Sequence, residues 1–129
     1  MAGWIGVDLD GTLAHYEGWG NGDIGKPIPL MMDRVVEWLK HGKEVRIFTA
    51  RASDPTQTKL VEAWLHEHGL GMLKVTNVKD FEMIELWDDR AVQVIPNTGR
   101  ALQDNVVVVR DLRRFSDDSP QRPTERTPD

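Results

Sequence analysis

The sequence predicts an α/β fold, a doubly wound parallel sheet with no cap domain, and three observations carry that prediction. Short apolar runs alternate with stretches of helical periodicity from Trp4 to Ile95, and parallel strands need covering helices to connect them. Prolines and glycines punctuate the alternation at helix starts and stops. Polar residues gather where the apolar runs end, the edge at which open parallel sheets bind ligands.

Trp4 to Val7 reads as the first buried strand, followed by a loop with Gly18, Gly20, Gly22 and Gly25 around Trp19. Pro29 suits the first position of a helix whose apolar residues Met31, Met32, Val35, Val36, Trp38 and Leu39 recur at helical spacing, with Gly42 as the stop. Val45 to Thr49 is the second strand. Asp54 and Pro55 then form a cap and first-turn pair for a helix carrying Leu60, Val61, Trp64, Leu65 and His68, closed by Gly69. Trp38 and Trp64 fall on apolar helix faces and are read as core. Met72 to Thr76 is a weaker third strand, Ile84 to Trp87 a fourth ending on Asp88-Asp89, and Val92 to Ile95 a fifth before Pro96-Asn97. Together these predict a three-layer, Rossmann-like sheet of about five strands.

At 129 residues and 40% hydrophobic content the chain fits one compact domain, expected over 1–115. Val106 to Val109 reads equally as a sixth strand or as the buried face of a last helix. From Ser116 to Asp129 nothing is strongly apolar and three residues are proline, so a disordered tail is expected. A net charge of -5 argues against a broad basic surface for nucleic acid, although nucleic acid stays open as a partner; Arg110 to Arg114 is read as a solvated face. There is no cysteine, and no segment approaches the roughly 20 apolar residues of a membrane span. A soluble, cytoplasmic protein without membrane partners is the expectation.

The chemistry concentrates in Asp8-Leu9-Asp10-Gly11-Thr12-Leu13, two carboxylates two residues apart where a strand enters a glycine turn. Strand alternation puts both acids on one face only if the chain stays extended. Gly11 and Thr12 suggest instead a sharp turn that brings backbone N–H groups beside them. Acids next to bare amides suit a metal and a phosphate. A calcium loop would continue its alternating acids to a glutamate near the twelfth position, and Thr12-Leu13-Ala14-His15 breaks that pattern. The predicted sheet edge gathers further polar groups: Thr49-Ala50-Arg51 after strand two, Asn77 and Lys79 after strand three, Asp88-Asp89 after strand four.

In this order the residues resemble the haloacid dehalogenase superfamily of phosphotransferases. Asp8-Leu9-Asp10-Gly11-Thr12 looks like its first motif, Phe48-Thr49-Ala50-Arg51 its second, Lys79 its third and Asp88-Asp89 its fourth. The resemblance implies a magnesium-dependent (Mg2+) phosphate monoester hydrolase. Asp8 would attack phosphorus to form an aspartyl-phosphate, and Asp10 would protonate the leaving oxygen and then activate water. Asp8, Asp88 and the Asp10 backbone carbonyl would hold the ion, with Asp89 bound through water or in place of Asp88. Thr49 would hydrogen-bond the phosphoryl group and Lys79 would neutralise it, with Gly11, Thr12, Ala50 and Arg51 completing the substrate cradle. Lys74 competes with Lys79 but lies inside the third strand. An acid at position 10 argues against the dehalogenase and ion-pump branches.

Ala14 to Ile28 is long enough for a flap but not for a cap, and Val78 to Met83 is shorter still. An open site implies a large phosphorylated substrate, or a neighbouring subunit of a homo-oligomer closing the cleft over a small one. His15, Tyr16 and Trp19 lie in the flap, where they either touch substrate or anchor the loop. His66 and His68 point to different sides of their helix and do not share a metal. Arg51 and Arg90 flank the site and either bind a second anion or are solvated or ion-paired. Three alternatives stand beside the leading one: a phosphatase for nucleotides or polynucleotide ends, a receiver-like signalling module, and an inactive phosphate-binding module. Motif order separates the receiver, whose phosphorylated aspartate ends a later strand.

Overall fold

The computed structural model describes residues 3–18 and 22–103. Trp19, Gly20, the Val106–Val109 run, the Arg110–Arg114 stretch and the 116–129 tail lie outside the described residues. Seven elements follow in order: β1 (Trp4–Val7), α1 (Pro29–Lys40), β2 (Glu44–Phe48), a 3-10 turn (Ala50–Ser53), α2 (Pro55–Glu67), β3 (Lys74–Thr76) and β4 (Met83–Trp87). The chain divides into two compact units, 1–89 and 90–129.

The helix boundaries match the predicted punctuation. Pro29 opens α1 where its missing N–H is no loss, and the preceding Ile28 amide donates to the Leu13 carbonyl at 2.8 Å. Asp54 caps α2, its carboxylate accepting from the Thr56 amide at 2.9 Å. Both helices stop within two residues of the expected glycines, Gly42 and Gly69. The third strand begins later than expected, at Lys74, because Met72 is exposed and Leu73 turns inward to the core.

Among the described residues the sheet has four strands, all parallel, in the order β3-β2-β1-β4. Val7 is the hinge of its carboxyl edge, paired to Ile47 on one side and Trp87 on the other. Ile5, Val7, Val45 and Ile47 pack with Met31 and Val35 of α1 and with Val61, Trp64 and Leu65 of α2 in one buried cluster. Both helices therefore lie on the same sheet face. That is the outcome of two successive right-handed crossovers moving in one direction across the sheet. The step from β3 to β4 is the loop 77–82, without a helix. The first unit is thus a sheet with one helical layer among the described residues.

On the opposite face Trp4 is buried under polar neighbours. The Arg46 guanidinium lies 4.4 Å from its ring centroid, Phe48 packs at 6.4 Å, and the indole N–H donates to Asp80 at 2.9 Å. That hydrogen bond, more than any other influence, holds the Asp80 carboxyl below its usual range.

The predicted fifth strand is a correction. Among the described residues Val92 to Ile95 joins no sheet strand; it folds back on its own return, with one antiparallel bridge, Val94 to Ala101, and bonds from Ile95 N to Arg100 O and Leu102 N to Gln93 O, both 2.8 Å. Pro96 lacks a donor and Asn97 takes a left-handed φ of 66°, so the chain reverses there before a ladder can extend. No helix among the described residues is long and apolar enough to cross a membrane.

Candidate active site

The site begins where β1 ends. The Asp8 amide donates to the Trp87 carbonyl at 2.9 Å, carrying the β1–β4 ladder one residue past the strand and setting Asp8 beside the end of β4, from which Asp88 and Asp89 continue. The chain then turns at once. The Leu9 carbonyl accepts from the amides of Thr12, Leu13 and Ala14 at 3.1, 3.0 and 2.9 Å, and Gly11 N donates to Ala14 O at 2.8 Å. Leu9 and Leu13 are fully buried beneath this turn and pin it to the core. Asp8 and Asp10 accordingly do not share a strand face.

Asp8, Asp88 and Asp89 each offer a carboxylate oxygen within 4.8 Å of the others. Burial pushes the Asp8 carboxyl up to about 7, and the Asp88 charge and a hydrogen bond with Asp89 push in the same direction. Thr12 Oγ1 donates to Asp89 at 3.2 Å. Gly11 is required here: its φ is +92°, and a Cβ would sit 2.6 Å from an Asp89 carboxylate oxygen. Beside the cluster an open cleft of about 310 Å³ is lined by Thr12, Leu30, Arg34, Trp87 and the two acids that follow β4.

Asp10 faces elsewhere. Its two oxygens accept from Arg51 Nε at 2.8 Å and Nη2 at 3.0 Å, a bidentate pair. That bond, above all, raises the Arg51 pKa. Of the four residues expected at the metal, the structure brings three carboxylates together, and the side chain of the fourth, Asp10, expected there through its backbone carbonyl, is turned onto an arginine. Arg51 arises from the 3-10 turn after β2, where its amide donates to Thr49 Oγ1 at 3.1 Å. Thr49 is 3% exposed, and its hydroxyl, accepting that bond, keeps its own proton to donate. Ala50 is exposed next to it.

Lys79 is exposed on the loop 77–82 and makes no hydrogen bond or ion pair among the described residues. Its neighbour Asp80 is tied to Trp4 on the helix-free face. Asn77 and Lys74 are exposed too. The structure therefore gathers Asp8, Asp88, Asp89, Gly11 and Thr12 in one cluster and Asp10, Arg51 and Thr49 in a connected set, while Lys79 is bonded to neither. Arg90 opens the second unit and is exposed.

The flap is a hairpin at its base: His15 N donates to Lys26 O and Ile28 N to Leu13 O, both 2.8 Å, with a bridge from Ala14 to Pro27. Two of its fixings leave no signal in the sequence. Trp64, assigned to the core, also donates its indole N–H to the Gly25 carbonyl at 2.9 Å. Gly25 in turn packs against the His15 carbonyl with no space for a Cβ. Tyr16 is 42% exposed, and His15 lies 3.4 Å from the Glu17 carboxylate. A cavity of about 950 Å³ opens between the flap and Arg51. The His68 ring packs tilted against Trp64, centroids 4.6 Å apart.

Compared with protein-family models, curated proteins and solved structures, the chain finds no match.

Proposed function

We propose that the chain is a magnesium-dependent phosphate monoester hydrolase that works through an aspartyl-phosphate at Asp8. One observation carries the reading: Asp8 meets Asp88 and Asp89 within 4.8 Å at the carboxyl edge of a parallel sheet, while Asp10, two residues on, is held apart on Arg51. The order of motifs that resembles the haloacid dehalogenase superfamily supports it, and with it the three-layer fold, a cytoplasmic setting and a phosphorylated small molecule as substrate.

The donor set fits the ion. Three carboxylates supply only hard oxygen ligands, and burial first, with the Asp88 charge beside it, raises Asp8. Magnesium held there would offset the repulsion between Asp8 and an anionic phosphate. Asp8 then forms a bond to phosphorus as the ester oxygen departs with a proton from Asp10. In the second half Asp10 takes a proton from water, the water oxygen attacks phosphorus, and the Asp8 carboxylate is released with inorganic phosphate. Thr49 donates its hydroxyl proton to a phosphoryl oxygen. In this reading the exposed Lys79 ammonium would neutralise the phosphoryl group.

The test is phosphate release from an aryl phosphate with and without magnesium. Asp8→Asn is expected to lose turnover while keeping its circular dichroism spectrum, and chelator to suppress the wild type reversibly. Turnover surviving in Asp8→Asn would sink the proposal.

A further inference from the structure

We infer that Arg51 is a positioning residue, a strut holding the Asp10 carboxylate and the flap in one geometry, and not the ligand of a substrate phosphate. Its catalytic half rests on the reading of Asp10 as the proton carrier; its structural half stands without it.

A guanidinium has five N–H donors. In Arg51, Nε and Nη2 go to the two oxygens of Asp10 at 2.8 and 3.0 Å, and Nη1 goes to the Gly22 carbonyl at 2.8 Å and the Gln57 side-chain oxygen at 2.6 Å. One N–H is left, whereas an arginine that clamps a phosphate uses a fork of two. An incoming phosphate would have to displace Asp10 or the flap. The strut is also rooted: its amide is bonded to Thr49, and the side chains of Arg51 and Asp10 are only 15% and 23% exposed.

The fork fixes the rotation of the Asp10 carboxylate while taking one lone pair from each oxygen, and a second lone pair on each remains for proton transfer. The same guanidinium reaches Gly22, well beyond the paired base of the flap at His15 and Ile28. The orientation of Asp10 and the seating of the flap are therefore set by one side chain. The leaving group that Asp10 protonates would sit on the flap side, in the cavity lined by Tyr16, Asp23, Lys26 and Arg51.

Arg51→Gln, Asp10→Asn, their double variant and Arg51→Lys are compared by two measurements. The first is amide hydrogen exchange at His15 and Ile28. Each single Gln or Asn variant is expected to speed exchange by on the order of tenfold, and the double variant no more than the larger single, since both remove one coupling. Additive effects, or unchanged exchange in both singles, would overturn the strut. The second is steady-state phosphate release with magnesium from an aryl phosphate and from β-glycerophosphate, whose alkoxide is the poorer leaving group. Arg51→Gln is expected to lower kcat about tenfold or more on the alkyl ester, less on the aryl ester, with KM within about threefold, as Asp10→Asn does. A raised KM with kcat intact would instead make Arg51 a phosphate ligand. Arg51→Lys keeps a charge but cannot fork, so full recovery by lysine would also overturn the inference; it carries the test if the glutamine variant does not fold. Should the wild type release no phosphate, the proposed function fails, and the exchange measurements still decide the strut.

Discussion

Gly11→Ala separates backbone strain from damage to the site, because the structure supplies its control. At Gly11 φ is +92° and the new Cβ would stand 2.6 Å from Asp89 Oδ2 and 2.8 Å from its Cγ, where ordinary contact begins at 3.4 Å. At Gly42 φ is +77° and the Cβ would meet nothing within 4 Å. Both substitutions carry the left-handed penalty of an L-residue, about 1–2 kcal/mol. In a domain of this size that lowers Tm by roughly 4–8 °C per kcal/mol. Only at Gly11 must a carboxylate also retreat, and Asp89 is an exposed side chain that can swing away cheaply. The added loss therefore falls on the site and not on stability: the Thr12–Asp89 bond opens and one oxygen leaves the three-acid cluster. Magnesium affinity measured by titration calorimetry is expected to fall about tenfold in Gly11→Ala, equivalent to about 1.4 kcal/mol, and to stay unchanged in Gly42→Ala, while thermal unfolding shows similar losses in both. Equal magnesium affinity in the two variants would refute the assignment of Asp89 to the ion site.

The acids and the exposed lysine yield two more expected outcomes. The Asp8 carboxyl is raised from 3.8 to about 7, so the folded protein binds more protons than the unfolded chain between those values. Without magnesium, the Asp8 contribution to stability should therefore be full below pH 4, fall as pH rises toward 7, and level off above it. The whole shift corresponds to about 4 kcal/mol; solvent at this half-buried site screens it, leaving a decline of about 1–2 kcal/mol. Denaturant unfolding from pH 4 to pH 8 should show that decline in the wild type relative to Asp8→Asn, and a wild type that gains stability relative to Asp8→Asn as pH rises would contradict the cause assigned to Asp8. Lys79→Ala should leave unfolding within about 0.5 kcal/mol of wild type and lower kcat about tenfold or more if the ammonium reaches the phosphoryl group; unchanged phosphate release would remove Lys79 from the catalytic set.

Much of the fold is legible in the sequence because its signals are local. Pro29, the Asp54-Pro55 pair and the two helix-ending glycines act through the backbone of their own turn, and the structure ends and begins its helices there. The fifth strand fails because Val92 to Ile95 carries the composition of a strand, while its choice of partner depends on Pro96 and Asn97, which reverse the chain onto itself. Composition also identifies Trp64 as core, which it is at 7% exposure. It cannot reveal that the indole N–H of the same ring finds the Gly25 carbonyl, 39 residues away in sequence. For Arg51 the sequence leaves open whether it binds an anion or pairs with an acid. The bidentate geometry that favours pairing depends on the turn at Leu9, which no periodicity encodes.

That turn explains how two identical side chains two positions apart come to hold different surroundings. Had the strand continued, Asp8 and Asp10 would share a face and repel each other at similar depth. Instead three amides converge on the Leu9 carbonyl and two buried leucines hold the loop down. Asp8 is left at the end of the β1–β4 ladder among acids, and Asp10 is delivered across the end of β2 to a guanidinium. Burial and like charge make the first group reluctant to ionise unless a cation arrives. The second already has its cation and a fixed orientation. In the proposed hydrolysis the carboxylate that needs a metal would bond phosphorus and the one that does not would move a proton. The different surroundings of the two acids, and with them the proposed division of labour, rest on hydrogen bonds to one backbone carbonyl, which is why Gly11, at the centre of that turn, is the position where a single methyl group tests it.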